Sequence, residues 1–327
     1  MLEGKINWGQ GESKAPSVVT IATEEKSRTM ISAKVIADST SYLHRRLTTF
    51  VLEYPRYIHS ELMTHRVFSK NSASSRAIPI EKFMDMIDKR PVKPLWTENM
   101  KGMQGPVITD AGEIQTADRI WISASQDMQF HVKRLSEMGI HKQNVNRLME
   151  PWMYIRIVLT GTDFAGWFEL RDHEKAHPEI RELARMMRFA MEASTPKFLQ
   201  PGEWHVPFGE NMDGEDEEMW CGHNILKSSA ARCARVSYNN FEGDSKIGKD
   251  LILFNKLFTE VPRHCSPAEH QARVPLPSEL IHMSSGWHYG SQDGEEQAEW
   301  FEKRGRYYSN LSGWIQLRKL IECGEFK

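Results

Sequence analysis

The 327-residue chain has little cysteine, almost no net charge and no long apolar run, and each shortage removes a class of protein. Its four cysteines, Cys221, Cys233, Cys265 and Cys323, are too few and too scattered for a disulfide framework. A metal site drawn from Cys221, His223, His264 and Cys265 has no CxxC pair behind it, so the thiols read as small buried or inert groups and no metal is expected. A formal net charge of -2 argues against a general polyanion binder, nucleic acid included, so any phosphate must be gripped locally. No apolar stretch approaches the roughly 20 residues of a membrane helix. The opening MLEGKINWGQGESKAP lacks the apolar core of a signal peptide, and a cytoplasmic location is the expectation. Repeats and low-complexity tracts are absent too. What remains is 40% hydrophobic and 26% charged, an ordinary globular composition with enough apolar residues for a sizeable core.

Along the chain, residues 1–28 are polar and read as a flexible segment. LTTFVLEY, Leu47 to Tyr54, is aliphatic, aromatic and threonine-rich, which predicts a strand. Pro55 then permits a short helix carrying Ile58, Leu62 and Met63 to His65. Residues 89–115 read as an irregular excursion. Apolar spacing predicts a helix from Thr116 to Met138 and a second helical stretch ending at Pro151. WMYIRIVLTGT, Trp152 to Thr162, predicts a strand, and Thr162 to Arg171 a helix capped by Thr162 or Asp163. Pro178 and Glu179 open another helix, whose core stripe is Ile180, Leu183, Ala184, Met187 and Met191. Residues 209–219 are acidic and glycine-bearing, as in a surface loop. Helices are expected around Ile225–Val236, around Leu251–Phe258 and at the end of the tail.

The stretch THRVFSKNSASSR, Thr64 to Arg76, sets serines, an asparagine, a histidine, a lysine and two arginines between apolar segments. It is placed where a helix runs into a loop. Such a set of hydroxyls, amides and guanidiniums suits phosphate oxygens, which arginine can grip as a fork. A solvated serine-rich loop has the same composition.

The spacing is more specific. His65, Arg66, Ser69, Asn71, Ser74 and Arg76 satisfy HRxxSxNxxSxR. This resembles the RHRxxSxNxxSxR signature of the flavin-dependent thymidylate synthases, with Thr64 in place of the leading arginine. Arg147, before Pro151, is similar to an arginine of that family that contacts the nucleotide. FELRDHEKAHPEIRELA, Phe168 to Ala184, resembles its LRxxxHAQxEI region, with Arg171 at the arginine that holds the pyrimidine. Lys175 and His177 depart from that pattern, and Thr160, Thr162 and Gly166 stand where flavin-contacting residues are usual. His264, Ser266, Pro267, Glu269 and His270 supply H-x-[ST]-P-x-E-H, which in the family precedes the signature and here follows it, as in a circular permutation.

The resemblance implies an α+β fold with an antiparallel-type sheet flanked by helices, and a single catalytic domain over residues 29–327. It also implies sites shared between subunits of a homotetramer, with the motif and Arg171 drawn from different chains. The implied reaction moves a one-carbon unit from methylenetetrahydrofolate to C5 of dUMP, giving dTMP, with FAD as cofactor and NADPH as reductant. By resemblance, Ser74, Arg76, Arg147 and Arg171 bind dUMP, and Arg171 also acts in catalysis. His65, Arg66, Asn71, His264, Ser266 and Glu269 contact FAD, the last three alternatively folate. Ser266, Pro267 and Glu269 equally suit a helix cap. The departures at Thr160, Thr162 and Gly166 leave open C5-hydroxymethylation without net reduction, or a cytosine nucleotide. The missing leading arginine leaves open a catalytically silent nucleotide binder.

Overall fold

The computed structural model describes residues 30–101, 105–209, 222–236, 247–279 and 309–326. The segment expected to be flexible, residues 1–28, lies outside them, as do Cys221 and nearly all of the loop expected at 209–219.

A five-stranded sheet organises the chain, with β1 (Ser32–Ser41), β2 (Leu47–Pro55), β3 (Ser69–Ser72), β4 (Tyr154–Gly161) and β5 (Lys197–Leu199) in the order β3-β4-β2-β1-β5. All neighbours are antiparallel except β1 and β5, which run parallel at one edge. The central strands β2 and β4 are rich in branched and aromatic residues and are covered on both faces.

Strand alternation sorts their side chains. Phe50, Leu52, Tyr54, Ile155, Ile157 and Leu159 face one way, into the main core. Two helices close that side: α5 (Ala165–Arg171) contributes Trp167, and α6 (Pro178–Ala193) contributes Ile180, Leu183, Ala184 and Met187. Cutting any large member of this stripe to alanine would cost about 2–5 kcal/mol. On the opposite face Val51 and Val158 meet Cys233 and Val236, at the end of helix α7 (Gly222–Arg235). Helix α8 (Ile247–Thr259) packs on α7. The two are locked by the buried Asp250, which accepts from Ser228 at 2.6 Å and from Arg232 and Arg235 at 2.9 Å each.

Several elements differ from the sequence expectations. The long helix α3 (Ala111–Glu137) starts earlier than Thr116, because the Asp110 carboxylate caps it by accepting from the Glu113 amide at 2.8 Å. The excursion therefore ends at residue 110. Helix α2 (Ile80–Lys89) buries Ile80, Phe83 and Ile87 where the sequence reading assigned nothing, and the helical stretch expected before Pro151 opens with the short helix α4 (Lys142–Val145). The middle of the serine-rich stretch, Ser69–Ser72, is strand β3 rather than loop, since pairing with β4 takes up its backbone. Helix α5 begins at Ala165; Asp163 accepts from the Ala165 amide at 3.1 Å, but Thr162 caps nothing. A second, three-stranded sheet joins β6 (Trp204–His205), β7 (Ala272–Arg273) and β8 (Ile315–Gln316). Its two-residue strands carry too little pattern to read in advance. Among the described residues no helix is long and apolar enough to cross a membrane, and no group of His, Cys, Asp and Glu is placed to hold a metal ion.

Candidate functional site

The signature stretch begins where the short helix α1 (His59–Met63) ends and continues into the edge strand β3. Phe68 anchors it, stacking on Phe164 at 4.9 Å and meeting the edge of Trp167 at 6.1 Å. Gly161 at the end of β4 is required for this, because a Cβ there would lie 2.7 Å from the Phe68 ring.

Beyond the anchor, the two-residue period of β3 divides the motif between the faces of the sheet. Ser69 pairs with Thr160 and Asn71 with Val158, so both point toward α7. There Asn71 Nδ2 donates to the Cys233 carbonyl at 2.6 Å. His65 lies on the α5 side, its ring edge-on to Trp167 at 4.7 Å. Of the residues expected to contact flavin, His65 and Asn71 are thus on opposite sides of an edge strand. Lys70 spans the turn by donating to the His65 carbonyl. Burial lowers the pKa of its ammonium, and the nearby Glu269 opposes that shift.

Arg171, at the end of α5, reaches the motif within the same chain. Its Nε donates to His65 Nε2 at 3.1 Å, Nη1 to Glu61 Oε2 at 3.1 Å and Nη2 to Thr64 Oγ1 at 3.4 Å. The different-chain arrangement is therefore not needed to bring the two together. Three of the five guanidinium N–H groups are taken, which leaves two. Thr64, the departure from the signature, is one of the acceptors. Burial first, then the charges of Arg171 and Lys70, hold the His65 pKa below its ordinary value. A neutral ring is what Arg171 Nε–H requires as acceptor.

Past β3, Ser74 and Arg76 stand at a 3₁₀ turn over Ser75–Ala77. Arg76 is exposed, and the Ser74 hydroxyl makes no cap bond. The turn is pinned from below by Asn146, whose Nδ2 donates to the carbonyls of Ser75 at 2.7 Å and Ile78 at 2.9 Å. Arg147, next to Asn146, is exposed and pairs loosely with Glu150 at 3.6 Å. Glu150 in turn accepts from Ser75 Oγ at 2.6 Å. Ser74, Arg76 and Arg147 therefore share one neighbourhood, and Arg171 lies in another, at the start of the motif.

The late segment folds onto the same sheet edge. Residues Ser266–Glu269 form a 3₁₀ turn, and the turn makes no side-chain cap bond. The capping alternative is thus not what holds it. Glu269 instead pairs with Arg318, and its carbonyl accepts from Gln316 Nε2 at 2.9 Å. His264 and Ser266 are exposed. His270 is buried, and its Nδ1 lies 2.8 Å from Thr160 Oγ1. From there buried groups continue, each 2.8 Å from the next: Thr160 to Thr49, Thr49 to His205 Nε2, His205 Nδ1 to Ser39. Burial pushes the pKa values of His205 and His270 down to about 3, His205 adding to the effect on His270, so both rings stay neutral. Thr162 is also occupied, accepting from the Ser312 amide at 3.1 Å.

Sequence reasoning missed the partners supplied by the tail. Asn310 Nδ2 donates to Ser69 Oγ at 3.0 Å and to the Val67 carbonyl at 3.1 Å, and Gln316 Nε2 reaches Ser69 Oγ at 3.3 Å. No local pattern marks a residue 241 positions away. Glu61 and Glu150 were also overlooked; each is a single acid in an ordinary turn or helix.

The flavin candidates divide by availability. Asn71 and Glu269 are spent on internal contacts, and His65 holds Arg171. Arg66, His264 and Ser266 are exposed, and among the described residues no bond engages their side chains. A cation, an imidazole and a hydroxyl are a donor set that fits the anionic part of a flavin dinucleotide.

The family model for thymidylate synthase complementing proteins matches residues 6–197, more than half of the chain. The matched span includes the signature stretch, Arg147 and Arg171, and stops short of His264–His270. No curated protein matches the sequence. Among solved structures, a UMP/dUMP methylase PolB from Streptomyces cacaoi bound with 5-Br dUMP is similar at 18% identity and a TM-score of 0.38, over 50% of this chain and 94% of that one. The same methylase bound with 5-Br UMP is similar at 19% identity and a TM-score of 0.39, over 50% and 92%.

Proposed function

The chain belongs to the family of thymidylate synthase complementing proteins, the flavin-dependent thymidylate synthases, and on that premise we propose that it transfers a one-carbon unit to C5 of dUMP. Methylenetetrahydrofolate would donate the carbon, NADPH the reducing equivalents, and dTMP would be the product. The observation that carries the reading is Arg171. An arginine inside the matched span, at the pyrimidine-holding position by resemblance, is held on three sides by residues of the signature and of the helix before it, with two N–H groups left for a ligand.

In this reading each side chain has a task. Arg171 donates to a uracil carbonyl and stabilises the negative charge that grows on the ring as C5 becomes nucleophilic. Glu61, Thr64 and neutral His65 hold the guanidinium so that no reorganisation is needed when the charge appears. Ser74, Arg76 and Arg147 grip the phosphate and so fix where the ring lies. Arg66, His264 and Ser266 would hold FAD, which supplies hydride chemistry when bound. Asn71 and Glu269 act as braces, tying the motif to α7 and the late turn to the tail. The segment around residues 224–273 then serves as the displaced opening of the family's chain. A single catalytic domain over residues 29–327 and a homotetramer accompany this proposal.

A second reading has its own observation. Thr160 and Thr162, at positions where flavin contacts are usual in the resemblance, are both occupied by protein partners. An altered flavin side favours C5-hydroxymethylation, in which water rather than hydride completes the transfer.

The deciding experiment incubates purified protein with dUMP, methylenetetrahydrofolate and NADPH and weighs the nucleotide by mass spectrometry. A gain of one methyl group with oxidation of NADPH is expected. A gain of a hydroxymethyl group without that oxidation supports the second reading. An unchanged nucleotide from flavin-loaded protein sinks both.

A further inference from the structure

Glu150 places a carboxylate among the cations assigned to the phosphate. Its Oε1 accepts from Ser75 Oγ at 2.6 Å and lies 3.6 Å from Arg147 Nη1, while Oε2 lies 3.8 Å from Arg56 Nη2. The serine contact is a firm hydrogen bond. The two arginine contacts are longer than hydrogen bonds and hold by charge alone. The side chains differ in exposure: 56% for Arg147, 25% for Arg56 and 20% for Glu150. The arginine free to move is thus Arg147, and the fixed partners are Ser75 and Arg56. A carboxylate offers an arginine the same kind of oxygen pair that a phosphate monoester does.

We propose that Glu150 is a resident counter-ion of the phosphate site that competes with the ligand's phosphate for Arg147. This rests on the reading above, in which Ser74, Arg76 and Arg147 grip that phosphate. When a phosphate monoester arrives, Arg147 turns from Glu150 to the phosphate, and Arg56 remains to neutralise the carboxylate. Glu150 therefore offsets part of the positive charge of the empty site and weakens the hold on phosphate by exchange and by like-charge repulsion. Arg56 offsets this without touching the ligand. Glu150 sets how tightly phosphorylated ligands are held and leaves unphosphorylated ones alone.

Calorimetric titration of the full chain with inorganic phosphate, dUMP and deoxyuridine tests the proposal. Glu150→Gln keeps an oxygen for Ser75 and loses only the charge. It is expected to tighten phosphate and dUMP about fivefold and to leave deoxyuridine unchanged. Arg56→Met is expected to weaken phosphate and dUMP in the parent chain and to have no effect in the Glu150→Gln background, a non-additivity that a structural role does not produce. Unchanged or weakened phosphate binding by Glu150→Gln overturns the proposal, and so does an Arg56→Met effect that persists in the double variant. Arg76→Ala and Arg147→Ala separate the two levels. If both leave dUMP affinity intact, the phosphate assignment itself is wrong. If both weaken it while Glu150→Gln does not tighten it, only the role of Glu150 falls.

Discussion

The two arginine corners of the site are built on opposite plans. Arg171 is half-buried and fixed by three acceptors from one helix end and the start of the motif. Arg76 and Arg147 are exposed, and Arg147 has only a long ion pair. A guanidinium that must meet charge appearing on a ring gains from being set beforehand, because the cost of orienting it is met by folding. One that captures a dianion from solvent gains from reach. Substitutions at the two corners should therefore fail in different kinetic parameters.

The largest effect is expected at the fixed corner. Arg171→Ala should lower kcat by about a hundredfold to a thousandfold, on the order of 3 kcal/mol, while the purified protein keeps its flavin colour. Undiminished turnover would remove Arg171 from its role, and loss of colour would make it a flavin ligand instead.

The buried chain through Thr160 comes next. Thr160→Val leaves Thr49 and His270 Nδ1 short of a partner in a fully buried setting. A cost of about 1–3 kcal/mol in stability is expected, read as a lower Tm or denaturant midpoint. An unshifted midpoint would show that the buried chain carries no strength.

At the exposed corner, Arg76→Ala should raise KM for dUMP about tenfold, near 1.4 kcal/mol, with kcat little changed. A fall in kcat with constant KM would erase the contrast between the corners.

The smallest effect concerns pH. Folding lowers the His65 pKa below its ordinary 6.5. Between those two values the unfolded chain holds a proton that the folded one refuses. The stability contributed by neutral His65 is therefore complete above 6.5 and is lost as pH falls toward the folded value. Protonation also removes the acceptor from Arg171 Nε–H. Turnover should show an acid limb below 6.5 that His65→Gln abolishes; a limb of the same position in that variant would assign it to another group.

Much of this was legible in the chain. Leu47–Pro55, Tyr154–Gly161 and Pro178–Ala193 carry enough periodic residues to announce strand or helix by themselves. The HRxxSxNxxSxR spacing marked the stretch that Arg171 meets. The short strands β5 to β8 were not legible, because two or three residues hold no period. Nor was the division of the motif between two faces, since it depends on β3 pairing with β4 and not with solvent.

By itself the sequence determined which residues form the central strands and helices and which polar groups are gathered near Thr64–Arg76, because periodicity and composition act over a few neighbours. Only the tertiary structure decided that Arg171 is held by Glu61, Thr64 and His65, that Asn71 bonds to the Cys233 carbonyl and Glu269 to Arg318, and that Glu150 lies between two arginines. Those outcomes depend on contacts between segments far apart in the chain, where hydrogen-bond geometry and burial, not local order, choose the partner.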